Sequence, residues 1–301
     1  RKLGSIGRGP GQYVNCLSFA INELDGTIYI KDLDESIKIF SRNGNYLRSI
    51  SLKKFEAYSL SDIELSDSKL FAFEYIGVGH GKFNWIILDT IGNLIKQKKN
   101  SIQTFTSNMA GGGGVYKFGN TISYWNLYND TIFSILPDLS YRPSFVLVPG
   151  EYRLPKSRIV DFSKYIIPWN IIETKQFLVF ESLKLENSNK VSTTLIDKKS
   201  LKTYLINLET EKTSNGFIYL GGIPNNLDGG AKFRPIQYFI ENGNEYLLGE
   251  INAFRLKMHT VSNEFINSTP KYPEKKKELE KLAESLKETD NPVLIMVRLK
   301  N

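Results

Sequence analysis

Asp25-Gly-Thr-Ile-Tyr-Ile-Lys-Asp32, Ser36-Ile-Lys-Ile-Phe-Ser41, Arg42-Asn-Gly-Asn45 and Tyr46-Leu-Arg-Ser-Ile50 follow one another within 26 residues. The first stretch is a hairpin turn running into an alternating strand, and Asn-Gly is the chemistry of a tight turn between strands. The order is therefore strand, loop, strand, turn, strand.

The same frame recurs along the chain. Trp85-Ile-Ile-Leu-Asp-Thr-Ile-Gly-Asn-Leu-Ile-Lys96 overlays Ile37–Arg48 without a gap and sets Gly92-Asn93 on Gly44-Asn45. Asn120–Trp125 repeats Gly26–Lys31, and Thr131–Ile135 repeats Ser36–Phe40 after one inserted residue. A weaker copy is Leu195–Lys202, preceded by the strand Gln176–Leu183. A fifth is Asn242–Gly249, followed by Ile251–Met258 as a further strand.

Units of roughly 45 to 50 residues carrying three or four short strands are the signature of propeller blades. A blade cannot bury both faces alone, so blades stack around an axis. Lys2–Ile6 matches Tyr46–Ile50, the last strand of a unit. The reading is an all-β, six-bladed β-propeller in a single domain over 1–301: five full units and an incomplete one, with the first blade truncated at the N-terminus. The strand 292–299 is expected to help close it.

One clear helix is expected over 273–289. Pro273 suits the first helical position, and Leu279, Leu282, Ala283 and Leu286 form one apolar stripe. Such a helix packs on the propeller or docks a partner.

Composition narrows the function. With 41% apolar and 24% charged residues, a core can be buried and wholesale disorder is excluded. No apolar run nears the ~18 to 20 residues of a membrane-spanning helix. A single cysteine, Cys16, excludes an internal disulfide and cysteine-built metal sites. It enters a strand and is expected to be a small buried residue. The net charge of +7 comes from 39 Lys and Arg against 32 Asp and Glu. The lysines fall in short runs on turns and the helix, and arginine, the bidentate phosphate ligand, is scarce. Nucleic acid is not the expected partner.

Gly7-Arg-Gly-Pro-Gly-Gln-Tyr13, Asn129-Asp-Thr-Ile-Phe133, Asn226-Leu-Asp-Gly-Gly230 and Asp290–Lys300 together resemble six-bladed, NHL-like β-propeller proteins of Bacteroidetes. The resemblance runs in order along the whole chain. It implies a six-bladed fold, a cell-envelope location (periplasm or outer-membrane surface) and no established activity. Many such proteins are predicted lipoproteins, so membrane association is expected only through a lipid anchor upstream of this chain.

No Gly-x-Ser-x-Gly or His-Glu-x-x-His motif is present, and neither histidine marks a catalytic or metal site by its context. His259 lies in a strand-like stretch. His80, in Gly77-Val-Gly-His-Gly-Lys82, sits on a loop whose glycines admit close ligand approach. Gly111–Gly114 and the Gly7/Gly9/Gly11 run lack the context of a phosphate loop and read as connections between blades. Asp32 and Asp34, with Asp228, are candidate calcium ligands, although neither loop has the oxygen count alone.

Aromatic residues beside Arg or Asn on inter-blade loops suit sugars or peptides, which marks Arg8, Tyr13, Tyr128, Arg153 and Trp169, with His80, as candidate ligand contacts. No cofactor is expected. The leading expectation is a non-enzymatic binding or scaffold module that engages a protein, peptide or glycan through a propeller face. The alternative is an extracellular lyase or hydrolase acting on glycans or peptides at the channel mouth, with His80 close to a carboxylate or metal in a pocket.

Overall fold

The computed structural model describes residues 3–56, 60–74, 81–103, 105–108, 112–148, 150–184, 190–213 and 216–300. The chain forms two compact units, residues 1–171 and 172–301. Six sheets are found among the described residues, and five of them are antiparallel.

The first unit opens with a two-stranded parallel pair, β1 (Ser5–Ile6) and β2 (Gln12–Tyr13). Three four-stranded antiparallel sheets follow, each running in chain order. The first holds β3 (Cys16–Ile21), β4 (Ile28–Asp32), β5 (Ser36–Phe40) and β6 (Tyr46–Ser51). In the second are β7 (Leu60–Ser66), β8 (Lys69–Glu74), β9 (Phe83–Asp89) and β10 (Leu94–Lys99). The third consists of β11 (Gly113–Phe118), β12 (Thr121–Asn126), β13 (Thr131–Ile135) and β14 (Tyr141–Val146).

The turn that marks the repeat has the same bonding each time. Gly44 N–H donates to Ser41 C=O at 2.8 Å and Ser41 N–H to Asn45 C=O at 2.8 Å. Gly92, Asp89 and Asn93 repeat this at 3.1 and 2.9 Å. Gly44 and Gly92 have φ of 81° and 99°, the left-handed region that glycine enters without a Cβ penalty. The third sheet places Leu139 there, at φ 63°.

Period-two alternation explains the unbroken apolar run of β9. Successive side chains point to opposite faces. Ile86 and Leu88 join Leu70 and Ala72 in a core shared with the first sheet. Trp85 and Ile87 join Phe71, Phe73, Ile122, Tyr124 and Ile135 in a core shared with the third. The middle sheet is thus apolar on both faces because it is covered on both.

In the second unit, β15 (Ile166–Glu173), inside which the unit boundary falls, leads into β16 (Phe177–Lys184), β17 (Lys190–Asp197), β18 (Thr203–Thr213) and β19 (Gly216–Leu220) in one five-stranded sheet. A three-stranded sheet holds β20 (Gln237–Glu241), β21 (Asn244–Ile251) and β22 (Val293–Arg298). Ile172, Val179, Phe233 and Leu247 form the core. The expected C-terminal strand is present as β22, antiparallel to β21 with Leu247 opposite Val297. It supplies the third strand of the fifth repeat.

That position was expected to be filled by Ile251–Met258, which is instead helical. Among the described residues there are three α-helices where one helix was expected: α1 (Ala253–Thr260), α2 (Asn263–Ile266) and α3 (Pro273–Ser285). Ala253 and Leu256, one helical turn apart, are the buried residues of α1, a spacing that fits a helix and not a strand. Pro273 occupies the first turn of α3 as expected, but α3 ends at Ser285 and not at 289. Lys257 of α1 donates to the carbonyls of Ala283 and Leu286, both at 3.0 Å. A cation at carbonyls left open by a helix end is favourable. Ala283 of the apolar stripe is buried. Among the described residues, no helix is long and apolar enough to cross a membrane.

Candidate functional site

The turn from β12 to β13 shapes the site. Asn126 Oδ1 accepts the N–H of Tyr128 at 2.9 Å, and Asn129 Oδ1 accepts that of Thr131 at 3.1 Å. These are Asx turns, in which the side-chain oxygen takes a backbone donor two residues ahead. Only oxygen can accept an N–H, so both amides are fixed with Nδ2, a donor, left for other partners. Arg153 clamps the turn from outside: Nη2 donates to the Tyr128 carbonyl at 3.2 Å, and Nη1 lies 2.9 Å from Asp130 Oδ2. The Tyr128 ring is 1% exposed, stands edge-on to Phe105, and places its hydroxyl 2.8 Å from Ser107 Oγ.

A cavity of about 50 Å³ opens between the second and third sheets. Asn84 and Lys98 line it from the second sheet, and Tyr124, Asn126, Asn129, Thr131 and Phe133 from the third sheet and its turn. Ser101 completes the rim. The space suits a few waters or a group the size of a carboxylate or amide. The ammonium of Lys98 lies 3.8 Å from the centre of the Tyr141 ring. Tyr141 is held edge-on by Trp85 and Phe133, and Phe133 stacks on Tyr124 with ring centres 5.5 Å apart. No acidic side chain is among the described residues that line the cavity.

Tyr124 is 6% exposed, and neither its hydroxyl nor the indole N–H of Trp85 has a hydrogen bond of normal geometry. Burial pushes the Tyr124 hydroxyl above its ordinary range, against a smaller opposing effect of the facing Trp85 indole. The group therefore stays a protonated donor at neutral pH.

The sequence-based candidates do not converge on one place. Tyr128 and Arg153 meet, but as the frame behind the cavity: the tyrosine, expected on an open loop, packs inside. Arg8 is exposed on the β1–β2 connection. Tyr13 in β2 donates to the Leu3 carbonyl at 3.2 Å. Trp169 is half-buried in β15. His80 lies outside the described residues. Cys16, expected buried, is exposed, because it starts the edge strand β3. Gly113 and Gly114 open β11 and are not purely a connection. His259, expected on a strand, is on α1 with Nε2 2.9 Å from the Gly229 carbonyl.

The calcium candidates have other partners. Asp32 is fully buried; Oδ1 accepts Val14 N–H at 2.9 Å and Asn15 N–H at 3.0 Å. Lys38 places its ammonium 2.7 Å from Asp34 and 3.9 Å from Asp32, where a cation would sit. Asp228 Oδ1 accepts from Asn225 Nδ2 and Gly230 N–H, both at 2.8 Å. Among the described residues, no cluster of three or more His, Cys, Asp or Glu could hold a metal.

The cavity itself was missed by sequence reading. Asn126 and Lys98 carry no motif, Asn129 stood out only as the start of a segment of the family resemblance, and only the sheet stacking brings β10 against the β12–β13 turn. The signal that could have found it was the pair of Asx-turn asparagines in Asn126-Leu-Tyr-Asn129.

Residues 1–298 match the family described as domain of unknown function DUF4934, to which the chain belongs. No curated protein matches it. A candidate exported protein of Bacteroides fragilis NCTC 9343 is similar at 19% identity and a TM-score of 0.64, over 99% of this chain and 81% of that one. A member of the DUF4221 family from Bacteroides vulgatus ATCC 8482 is similar at 12% identity and a TM-score of 0.51, over 82% and 76%. These likenesses bear on the fold alone. The chain has a β-propeller type of fold related to those Bacteroides proteins.

Proposed function

We propose that the chain is a non-enzymatic binding module of the bacterial cell envelope, and that it engages a glycan or peptide through the cavity between its second and third sheets. The observation that carries this reading is the orientation of Asn126 and Asn129: each spends its oxygen on the backbone and keeps its amide N–H for a guest. A rigid turn presenting donors beside aromatic rings recognises polar, acceptor-rich groups. An envelope location is supported by the likeness to the candidate exported protein.

Thermal unfolding against panels of oligosaccharides and peptides tests the reading. A ligand that binds only the folded state at about a hundred times its Kd stabilises by roughly 2.7 kcal/mol. Asn129→Asp keeps the oxygen that Thr131 N–H needs and replaces the donor by an anion. The wild type is expected to shift with at least one ligand and Asn129→Asp to lose that shift at unchanged basal stability. An equal shift in both proteins would overturn the site.

A further inference from the structure

We infer that the cavity selects a carboxylate-bearing sugar, a uronic-acid unit of an acidic glycan. This rests on the binding reading above and adds the charge and class of the guest. Donor-bearing residues line the cavity: Lys98, with its ammonium, and Asn126 and Asn129, whose Oδ1 atoms are taken by the backbone and whose Nδ2 amides remain. The Tyr141 ring covers one side of the Lys98 ammonium and leaves N–H groups for an acceptor on another.

Three donor-bearing side chains with no acidic residue among the described lining residues leave a guest acceptor to be supplied, and a carboxylate supplies two oxygens with four lone-pair sites. The net charge of +7 favours approach of an anion. A volume of about 50 Å³ admits the carboxylate and leaves the sugar ring at the mouth. Asn84, Ser101 and Thr131 also line the cavity and offer neutral groups that match ring hydroxyls.

The test is calorimetric titration of the full chain with trigalacturonate, with neutral galactotriose, and with a glutamate-rich peptide, repeated on Lys98→Met and Asn129→Asp. Urea midpoints establish that each variant is folded. Trigalacturonate is expected to bind the wild type at least tenfold more tightly than galactotriose. Lys98→Met should reduce that preference to within about twofold, and Asn129→Asp should abolish binding. Equal affinity for both sugars, or a preference untouched by Lys98→Met, overturns the carboxylate inference; the cavity reading survives it if Asn129→Asp still abolishes binding. Capture of the peptide without trigalacturonate overturns the glycan class. Binding of no probe overturns the inference.

Discussion

Arg153 holds Tyr128 by its backbone, Nη2 to carbonyl oxygen at 3.2 Å, while the Tyr128 side chain is turned inward to Ser107. One guanidinium and one buried ring thus fix the turn that carries Asn126 and Asn129. The contact to Asp130 is partly exposed and worth little alone, at about 0 to 1 kcal/mol. Arg153→Met is expected to cost about 0.5 to 1.5 kcal/mol in urea unfolding. It should weaken ligand binding by a larger factor than its stability loss implies. Arg153→Lys should not restore binding, since an ammonium lacks the planar fork that reaches two acceptors.

Glu64 on β7 gives the fold a pH dependence of defined sign. Burial, and then the nearby Asp62 and Glu23 carboxylates, push it up to about 7; the Leu65 N–H and Lys117 oppose this. A carboxyl that holds its proton more tightly when folded favours the folded state at low pH. Its contribution is complete below about 4.5 and is lost as pH rises through about 7. The loss is on the order of 3 kcal/mol. Urea unfolding at pH 4.5 and pH 8 should show it as the difference between wild type and Glu64→Gln. Parallel pH profiles for the two proteins would contradict it.

Asp32 ties the entry to the first sheet. Its carboxylate accepts two backbone N–H groups and lies near Lys38, while buried Lys31 donates to its carbonyl at 2.5 Å. Removing one partner of a buried charged set costs about 3 to 5 kcal/mol. Asp32→Ala should lower stability by that amount, read from urea midpoints at unchanged m-value.

Gly114 sets the position of Trp125. A Cβ there would stand 2.6 Å from the indole Nε1, and Trp125 is only 5% exposed. Gly114→Ala should cost about 1 to 3 kcal/mol by overpacking. Because Trp125 also lines the cavity, the variant should lose ligand affinity. A variant with wild-type thermal stability would show that the ring moves freely.

The repeat was legible because its turn is chemically demanding. Gly44 and Gly92 mark it in sequence, and the equivalent position carries Leu139 at positive φ in the third sheet, where the residue type gives no hint. The double-sided core of β9 was visible as the run Trp85–Leu88. The stretch after Ile251 misled because Phe254, Leu256 and Met258 alternate like a strand, whereas burial selects Ala253 and Leu256 at helical spacing. Tyr128 and Arg153 were found, but in a supporting role, since exposure on a loop cannot be told from burial beneath it by sequence. The cavity was illegible for a different reason: Lys98 and Asn129 are 31 positions apart on separate sheets, and their approach is a property of sheet stacking.

The most direct measurement is a crystal structure of the chain with trigalacturonate. The account predicts one uronate carboxylate in the cavity, within hydrogen-bonding distance of Lys98 Nζ and the Nδ2 atoms of Asn126 and Asn129. A sugar bound elsewhere, with the cavity holding only water, would contradict it.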